Sequence, residues 1–234
     1  MRLHNFFIDE PIGDRNTVEI SDSGTIHQWR HVLKFNTGTT VVLLDNSGFE
    51  YLAQFTELNF RKAVLEIMER RKNKFAPKKE LTLFSAQTKS DRFDWLLEKG
   101  TELGVFRFAP IISERTTVRK FNIERAKKIF KESSEQSGRG ILPVISEPVK
   151  LADALVSLDH NLALAFDPSG SPFNDARYTL DTERCSVFIG PEGGFTEREL
   201  ALFREKNIPI ASLGTQILRA ETAAIAVSAL ALLQ

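Results

Sequence analysis

The 234-residue chain has little cysteine and no excess of charge of either sign. Its single cysteine, Cys185, cannot form an internal disulfide and lies beside an apolar run, so we expect a small buried residue in a reducing compartment. The 31 basic and 31 acidic residues give a formal net charge of zero. No global field therefore draws the protein to nucleic acid, and any RNA contact must come from a local patch.

Histidine is also scarce, and its pattern argues against a metal site. His27 and His31 are four residues apart, as metal ligands on a helix often are. With four histidines in the whole chain and no third ligand nearby, we expect this segment to pack around Trp29 instead.

Long hydrophobic runs are missing as well. The longest apolar stretch, near the C-terminus, is broken by Glu221, Thr222 and Ser228 and is too short to span a bilayer. The residues after Met1 have no signal-peptide core. These features predict a cytoplasmic protein with no membrane partner.

Hydrophobic periodicity divides the chain into parts. Residues 1–72 contain short alternating strands and turns at a spacing typical of a small β-barrel, and residues 73–79 form a basic linker. Between Arg61 and Lys79 there are eight basic and two acidic residues, which indicates either a solvated linker or a phosphate-contacting patch. In residues 80–234 apolar strands alternate with helical patterns, which predicts an α/β domain with a parallel sheet and helices on both faces.

Two glycine loops follow apolar strands in the last part of the chain. One is Gly190-Pro191-Glu192-Gly193-Gly194, and the other runs from Leu213 to Arg219. Neither is a P-loop or a dinucleotide fingerprint. Glycine lets the backbone approach a ligand, and Glu192 favours a cationic or neutral one over a phosphate. Simple turn glycines are the alternative.

The last predicted helix, from Ala220 to Leu233, is apolar on nearly every side. Such a helix must be covered all round. Either it lies at the centre of one chain, or part of it packs against a second subunit.

Five segments resemble the RsmE family of SPOUT-class RNA methyltransferases, in the order of that family. They are Glu98–Val105, Ser113–Arg115, Glu135–Arg139, Ile189–Glu199 and Leu213–Ala223. The resemblance implies a PUA-like β-barrel that binds RNA, followed by a SPOUT-type parallel sheet with a C-terminal trefoil knot. It also implies a homodimer formed through the C-terminal helix and the knot region.

The activity that the resemblance implies is N3-methylation of a uridine in 16S ribosomal RNA, on the RNA or the small ribosomal subunit, with S-adenosyl-L-methionine as methyl donor. Ribose 2′-O-methylation and a non-catalytic RNA-binding module are the alternatives. The uracil N3 proton must leave before transfer, and the sequence identifies no certain general base, so solvent is one candidate acceptor.

The resemblance assigns residues to three roles. Catalytic candidates are Arg219, Glu221 and Arg115, although Glu221 at a helix start and Arg115 beside Glu114 also suit structural roles. The cofactor-binding candidates are Phe166, Gly190, Pro191, Glu192, Gly193, Leu213, Gly214, Ile217 and Leu218. The RNA-binding candidates are Lys34, where the family usually has arginine, and Arg70, Arg71, Lys78, Lys79 and Arg139.

Overall fold

The computed structural model describes residues 3–117, 120–158, 162–173 and 182–233. The chain forms two compact units. The first comprises residues 1–76 and 134–142, and the second comprises residues 77–133 and 143–234. The predicted division, at residues 72 and 80, did not include the return of residues 134–142 to the first unit.

The first unit is built on a five-stranded sheet. In the order β1-β3-β4-β5-β2, only β1 and β3 are parallel, and the other neighbours are antiparallel. The strands are β1 (Asn5–Phe7), β2 (Thr17–Ile20), β3 (Thr40–Leu44), β4 (Phe49–Leu58) and β5 (Ala63–Lys72). Alternation along β4 and β5 buries one set of side chains, as a period of two requires.

A short helical segment connects β2 to β3. It consists of α1 (Ser23–His27), whose N-cap Asp22 accepts a hydrogen bond from the Thr25 N–H at 2.7 Å, and a π-helical turn (Gln28–Val32). Trp29 in this turn is fully buried, with ring centroids 5.3 Å from Phe6 and 5.0 Å from Phe55. The expected packing around Trp29 is confirmed. The described residues contain no cluster of three or more potential metal ligands.

Asn73 fixes the returning segment to the first unit. Its side chain is buried, and Nδ2 donates to Glu50 Oε2 at 2.6 Å and to the Gly138 carbonyl at 2.9 Å. Its Oδ1 accepts from the Gly140 N–H at 3.1 Å. The linker predicted at residues 73–79 therefore begins on a buried, hydrogen-bonded residue and not on a solvated one.

Arg139, predicted to contact RNA, lies inside this returning segment. Its side chain is only 2% exposed, and Nε donates to the Ile141 carbonyl at 2.6 Å. Burial lowers the pKa of Arg139 to about 10. The structure thus corrects the expectation of a surface contact, because the guanidinium is enclosed by protein.

The second unit contains a fully parallel sheet in the order β12-β10-β11-β6-β7-β8, with β9 also paired to β7. The strands are β6 (Glu80–Ala86), β7 (Arg107–Ile112), β8 (Val144–Ile145), β9 (Val149–Lys150), β10 (Leu162–Pro172), β11 (Arg184–Ile189) and β12 (Ile210–Ser212). The helices are α2 (Ser90–Leu103), α3 (Ile123–Ser137), α4 (Leu151–Val156), α5 (Glu197–Glu205) and α6 (Ala220–Leu232). The last turn of α3 is counted with the first unit.

Two hydrophobic clusters cover the two faces of this sheet. One contains buried residues of α2, α3 and α6, and the other contains buried residues of α4 and α5. This arrangement confirms the predicted parallel sheet with helices on both faces. None of the helices in the described ranges is both long and apolar enough to cross a membrane.

Candidate functional site

A pocket opens where β11 and β12 end and where the pairing of β10 shifts register after Phe166. The parallel register pairs Phe166 of β10 with Ile189 of β11 and with Ala211 of β12, so that the loops leaving β11 and β12 meet this irregular part of β10. The pocket encloses about 600 Å³, part of it open to solvent. Ligands of open α/β sheets bind at this edge.

Eight of the nine residues predicted to bind cofactor line this pocket. They are Phe166, Gly190, Pro191, Glu192, Leu213, Gly214, Ile217 and Leu218. Gly193, the ninth, does not line it, since a Cβ there would meet Arg115 Cδ at 3.2 Å on another side of the loop. The lining also includes Asp167, Pro168, Ile189, Gly194, Ser212, Gln216, Ala220 and Ala223.

The first glycine loop is a tight turn held against β10. The Gly194 N–H donates to the Pro191 carbonyl at 2.8 Å, and Gly194 has a φ of +67°, which glycine adopts at little cost. Asp167 Oδ2 accepts from the Phe195 N–H at 3.4 Å. A Cβ at Gly190 would lie 3.3 Å from the Phe195 nitrogen. The wall of the pocket is therefore mostly main chain here.

The second glycine loop is closed by Ser212. Its hydroxyl donates to the Gly214 carbonyl at 3.1 Å and accepts from the Gly214 N–H at 3.3 Å. Gly214 has a φ of +127°, and a Cβ there would meet no protein atom within 4 Å. A larger residue at position 214 would be strained and would project into open space.

Arg115, predicted as catalytic, contacts the first glycine loop rather than the pocket. Its Nη1 donates to the Gly193 carbonyl at 2.5 Å and lies 3.4 Å from the Phe195 carbonyl. Arg115 is absent from the pocket lining. Its geometry therefore suits a residue that positions the loop.

Glu199 joins the same loop to the segment that carries Arg115. Glu199 Oε1 accepts from the Glu114 N–H at 2.8 Å, and Oε2 accepts from the Thr196 N–H at 2.9 Å. The Thr196 hydroxyl accepts in turn from the Glu199 N–H, which completes a capping box at the start of α5. The Glu114 carboxylate lies 3.8 Å from Arg198 Nη1, so its cationic neighbour is Arg198 and not the adjacent Arg115.

Glu221 lies on the first turn of α6, between the lining residues Ala220 and Ala223, and its side chain is 6% exposed. Arg92 of α2 faces it: Arg92 Nε is 3.7 Å from Glu221 Oε1, and Arg92 Nη1 is 3.4 Å from Glu192 Oε1. Glu221 Oε2 is buried and has no hydrogen-bond partner among the residues that the structure describes. A buried acceptor of this kind is available to a donor or cation on a ligand.

Arg92 is a site residue that the sequence reasoning missed. It precedes Glu192 by 100 positions, and no spacing pattern links a residue of α2 to the glycine loops. The third catalytic candidate, Arg219, is exposed at the N-cap of α6 and makes no capping hydrogen bond through its side chain. It follows the lining residue Leu218 directly but does not itself line the pocket.

Three predicted RNA contacts already have protein partners. Arg70 Nη1 is 2.6 Å from Asp14 Oδ1, and the Arg71 Nε donates to Glu50 Oε1 at 2.5 Å. The hydrogen bond and the charge of Glu50 raise the pKa of Arg71. Lys79 Nζ lies 3.4 Å from the Ala231 carbonyl near the end of α6.

Lys34 and Lys78 are exposed. Neither pairs with a carboxylate among the residues that the structure describes. These two ammonium groups are therefore the most accessible of the predicted RNA contacts.

A pocket formed by glycine loops at the carboxyl edge of a parallel sheet, with a buried carboxylate beside it, defines an α/β enzyme that binds a nucleotide-like cofactor. The family can be stated from sequence comparison. Residues 75–232 match the model of the RNA methyltransferase domain, and the chain belongs to that family.

Relatives and solved structures agree with this assignment. The chain is 30% identical over 229 residues to ribosomal RNA small subunit methyltransferase E of Rickettsia conorii, covering 96% of this chain and 93% of that protein. It is 34% identical over 187 residues to the protein of the same name from Aquifex aeolicus, covering 78% and 80%. The structure is similar to that of the Neisseria gonorrhoeae protein of this name bound to S-adenosylmethionine, with a TM-score of 0.89, 28% identity and coverage of 97% and 96%.

Proposed function

We propose that this RNA methyltransferase transfers a methyl group from S-adenosyl-L-methionine to N3 of a uridine in 16S ribosomal RNA. The observation that carries the proposal is the pocket of two main-chain loops at the ends of β11 and β12, beside the register shift in β10. Its support from outside the chain is the similarity to a structure with S-adenosylmethionine bound and to relatives named small subunit methyltransferases.

The residues of the pocket fit this cofactor. Gly214 leaves open space where a side chain would stand, and Gly190 brings main chain to the pocket wall. Phe166, Ile217 and Leu218 would supply apolar surface for a ring of the cofactor. Glu192 would supply a carboxylate that favours the cofactor's positive charge. When bound, S-adenosylmethionine supplies a methyl group on a positively charged sulfur.

The chain's own residues must orient the uracil, exclude water and favour the deprotonated base. We assign Arg219 to stabilise the negative charge of the uracil anion, because its guanidinium is exposed beside the lining residue Leu218. Glu221 offers a buried carboxylate oxygen as a hydrogen-bond acceptor. Arg115 acts as a positioning residue through the Gly193 carbonyl.

A homodimer is part of the proposal. One face of α6 and the loop before it expose apolar side chains: Ile217 is 90% exposed, and Leu218, Leu230 and Leu233 are exposed as well. A second copy of the chain that covered these side chains would remove them from water.

The finer fold proposals follow from connectivity. A C-terminal trefoil knot is supported by the path of the chain, which leaves the edge strand β12 and returns in α6 to pack against α2 and β6. A PUA-like barrel is supported by the five-stranded sheet of the first unit with Trp29 in its core.

A cytoplasmic location is supported by the lone buried Cys185, whose thiol pKa is raised by burial.

We place the RNA contacts first on Lys34 and Lys78, which are exposed. Arg70 and Arg71 would have to exchange Asp14 and Glu50 for phosphates, and Lys79 would have to leave the end of α6. Arg139 does not contact RNA in this proposal. Its buried side chain stabilises the segment of residues 134–142 through the Ile141 carbonyl.

The test is methylation in vitro followed by nucleoside analysis. Small ribosomal subunits and naked 16S RNA from a strain without this gene are incubated with the protein and S-adenosylmethionine, and the digested nucleosides are identified by mass spectrometry. The expected product is 3-methyluridine. The appearance of 2′-O-methylated nucleosides would indicate the other chemistry, and no product on either substrate would contradict the proposal.

A further inference from the structure

A second cavity lies in the first unit and shares no lining residue with the cofactor pocket. It encloses about 800 Å³, part of it open to solvent. Its lining comes from β1 and the two residues before it, from the π-helical turn and the residue after it, and from the last turn of α3: Leu3, His4, Asn5, Phe6, Gln28, Leu33, Glu135 and Gln136.

Two segments that the cofactor pocket leaves unexplained meet at this cavity. Glu135 and Gln136 begin the segment that ends at Arg139, and Leu33 belongs to the segment from His31 to Lys34. The first segment is one of the five that resemble the family, and the second ends at Lys34, where the family usually has arginine. Neither contributes to the pocket in the second unit.

Hydrogen bonds hold the cavity wall in place. Glu135 Oε1 accepts from the Phe7 N–H at 2.8 Å, and the Glu135 carbonyl accepts from Asn5 Nδ2 at 2.8 Å. The end of α3 is therefore fixed to β1 through both the side chain and the main chain of one residue.

The backbone on the other wall adopts two uncommon conformations in succession. The Leu33 N–H donates to the Gln28 carbonyl five residues earlier at 2.9 Å, which is the π-helical bond, and Lys34 has a φ of +56°. Such conformations are costly and are frequent at functional sites. Here Trp29 fixes the turn from inside, while Gln28 and Leu33 face the cavity and Lys34 is exposed.

The chemistry of the lining selects a flat ring with polar edges. Asn5, Gln28 and Gln136 carry amides, which both donate and accept hydrogen bonds. Leu3, Phe6 and Leu33 supply apolar surface. The lining contains no lysine or arginine, so it is not an anion site in itself.

His4 adds a stacking surface. Its ring is exposed and rests on two aromatic rings, with centroids 6.2 Å from Phe6 at an interplanar angle of 20° and 5.5 Å from Phe35. Exposed aromatic or imidazole rings supported in this way stack on the unpaired bases of single-stranded RNA.

Positive groups adjoin the cavity lining in the sequence. The stretch from His27 to Lys34 contains Arg30 and Lys34 and no acidic residue. Phosphates that flank a bound base would find cations there.

We propose that this cavity is a nucleobase pocket that holds one unpaired nucleotide of the RNA substrate, other than the uridine that is methylated. The inference rests on the proposed function as an RNA methyltransferase. The base stacks on His4 and is read by the amides of Gln28 and Gln136, while Lys34 contacts a neighbouring phosphate.

The test compares variants of the cavity in the complete protein. His4→Ala removes the stacking surface, His4→Phe keeps it, and Gln28→Leu removes one amide. Gln54→Leu makes the same change on β4, outside the cavity. For small ribosomal subunits, His4→Ala and Gln28→Leu are expected to raise KM about five- to fiftyfold, with kcat and S-adenosylhomocysteine affinity unchanged. His4→Phe and Gln54→Leu are expected to behave as the wild type does.

A binding measurement separates this inference from the proposed function. Single-stranded oligoribonucleotides of each base, and an abasic strand of equal length, are titrated against wild type and variants. The wild type should prefer at least one base-bearing strand over the abasic strand, and His4→Ala should lose that preference, whether or not methylation is observed. Equal affinity of the wild type for all strands, or unchanged KM and preference in both His4→Ala and Gln28→Leu, would overturn the nucleobase pocket while leaving methyl transfer intact.

Discussion

Arg92 connects two elements beside the pocket of the second unit. It faces Glu192, in the first glycine loop, and Glu221, in the first turn of α6. Because Glu221 is almost fully buried, removing its cation leaves a carboxylate with little solvent to stabilise it.

We therefore expect Arg92→Gln to weaken S-adenosylhomocysteine binding by about tenfold, which corresponds to about 1.4 kcal/mol, and to lower the melting temperature. Arg92→Lys should restore part of the affinity, since it keeps the charge but not the two-sided geometry. Arg125→Gln is the matched control, because Arg125 pairs with Asp94 at 2.6 Å on an exposed surface. Calorimetric titration measures the affinities, and a thermal melt measures the melting temperature. Wild-type affinity in Arg92→Gln would refute the bridging role.

Asp45 provides a pH-dependent test of the first unit. It accepts hydrogen bonds from the Ile12 N–H at 2.8 Å and from the N–H and hydroxyl of Ser47. Partial burial disfavours the ionised form, but the hydrogen bonds from Ser47 and Ile12 outweigh it, so the pKa of Asp45 lies below its ordinary value of 3.8.

A lowered native pKa means that Asp45 stabilises the fold above pH 3.8 and loses this effect as the pH falls toward the native pKa. We expect Asp45→Asn to lower the free energy of unfolding by about 1–2 kcal/mol at neutral pH, and the difference from wild type to shrink in strong acid. Asp14→Asn, at a far more exposed carboxylate, should cost less. Urea denaturation at neutral pH and in acid measures the free energies of unfolding. A difference between wild type and Asp45→Asn that grows in acid would contradict the lowered pKa.

At the scale of elements, the sequence predicted what is local and missed what is distant. The glycine loops were predictable because each follows an apolar strand, and parallel strands bring their carboxyl ends to one edge. The capping box of α5 was predictable from Thr196 and Glu199, three residues apart. The roles of Arg115 and Arg92 were not, because they depend on contacts across 78 and 100 positions.

The helix α6 was predicted to need cover on all sides, and within the chain its cover is incomplete. Ala224, Val227 and Ala231 are buried, whereas Leu230 is 39% exposed. Leu230→Glu should therefore convert the proposed dimer into a monomer, because it places a charge on the apolar face. Val156→Glu, at a residue of α4 that is 77% exposed, should leave the assembly unchanged. Light scattering coupled to size-exclusion chromatography measures the molecular mass of each variant. A wild type that is monomeric at micromolar concentration would contradict the dimer.

At the scale of the whole molecule, the path of the chain could not be predicted from local patterns. The change from short alternating strands to strand–helix alternation was placed at residues 72–80, and the structure divides the chain first after residue 76. The return of residues 134–142 to the first unit depends on Asn73, whose buried amide bonds span 65 and 67 positions. No local pattern contains that information.

The balance of 31 basic and 31 acidic residues makes RNA binding a property of local cations. Each of Lys34→Glu and Lys78→Glu should weaken binding of 16S RNA and reduce the slope of log affinity against log salt by about one. Lys128→Glu, at an exposed lysine that faces Glu132, serves as the control. Filter binding at several salt concentrations measures the slopes, and equal slopes in all three variants would exclude these two contacts.

We propose that main chain at the ends of β11 and β12, beside the register shift in β10, binds the methyl donor. Isothermal titration of S-adenosylhomocysteine into the wild type and into Gly214→Val tests it most directly. We predict one site per chain in the wild type and no measurable binding in the variant, with both proteins folded by circular dichroism. Equal binding by the two proteins, or none by the wild type at saturating ligand, would contradict it.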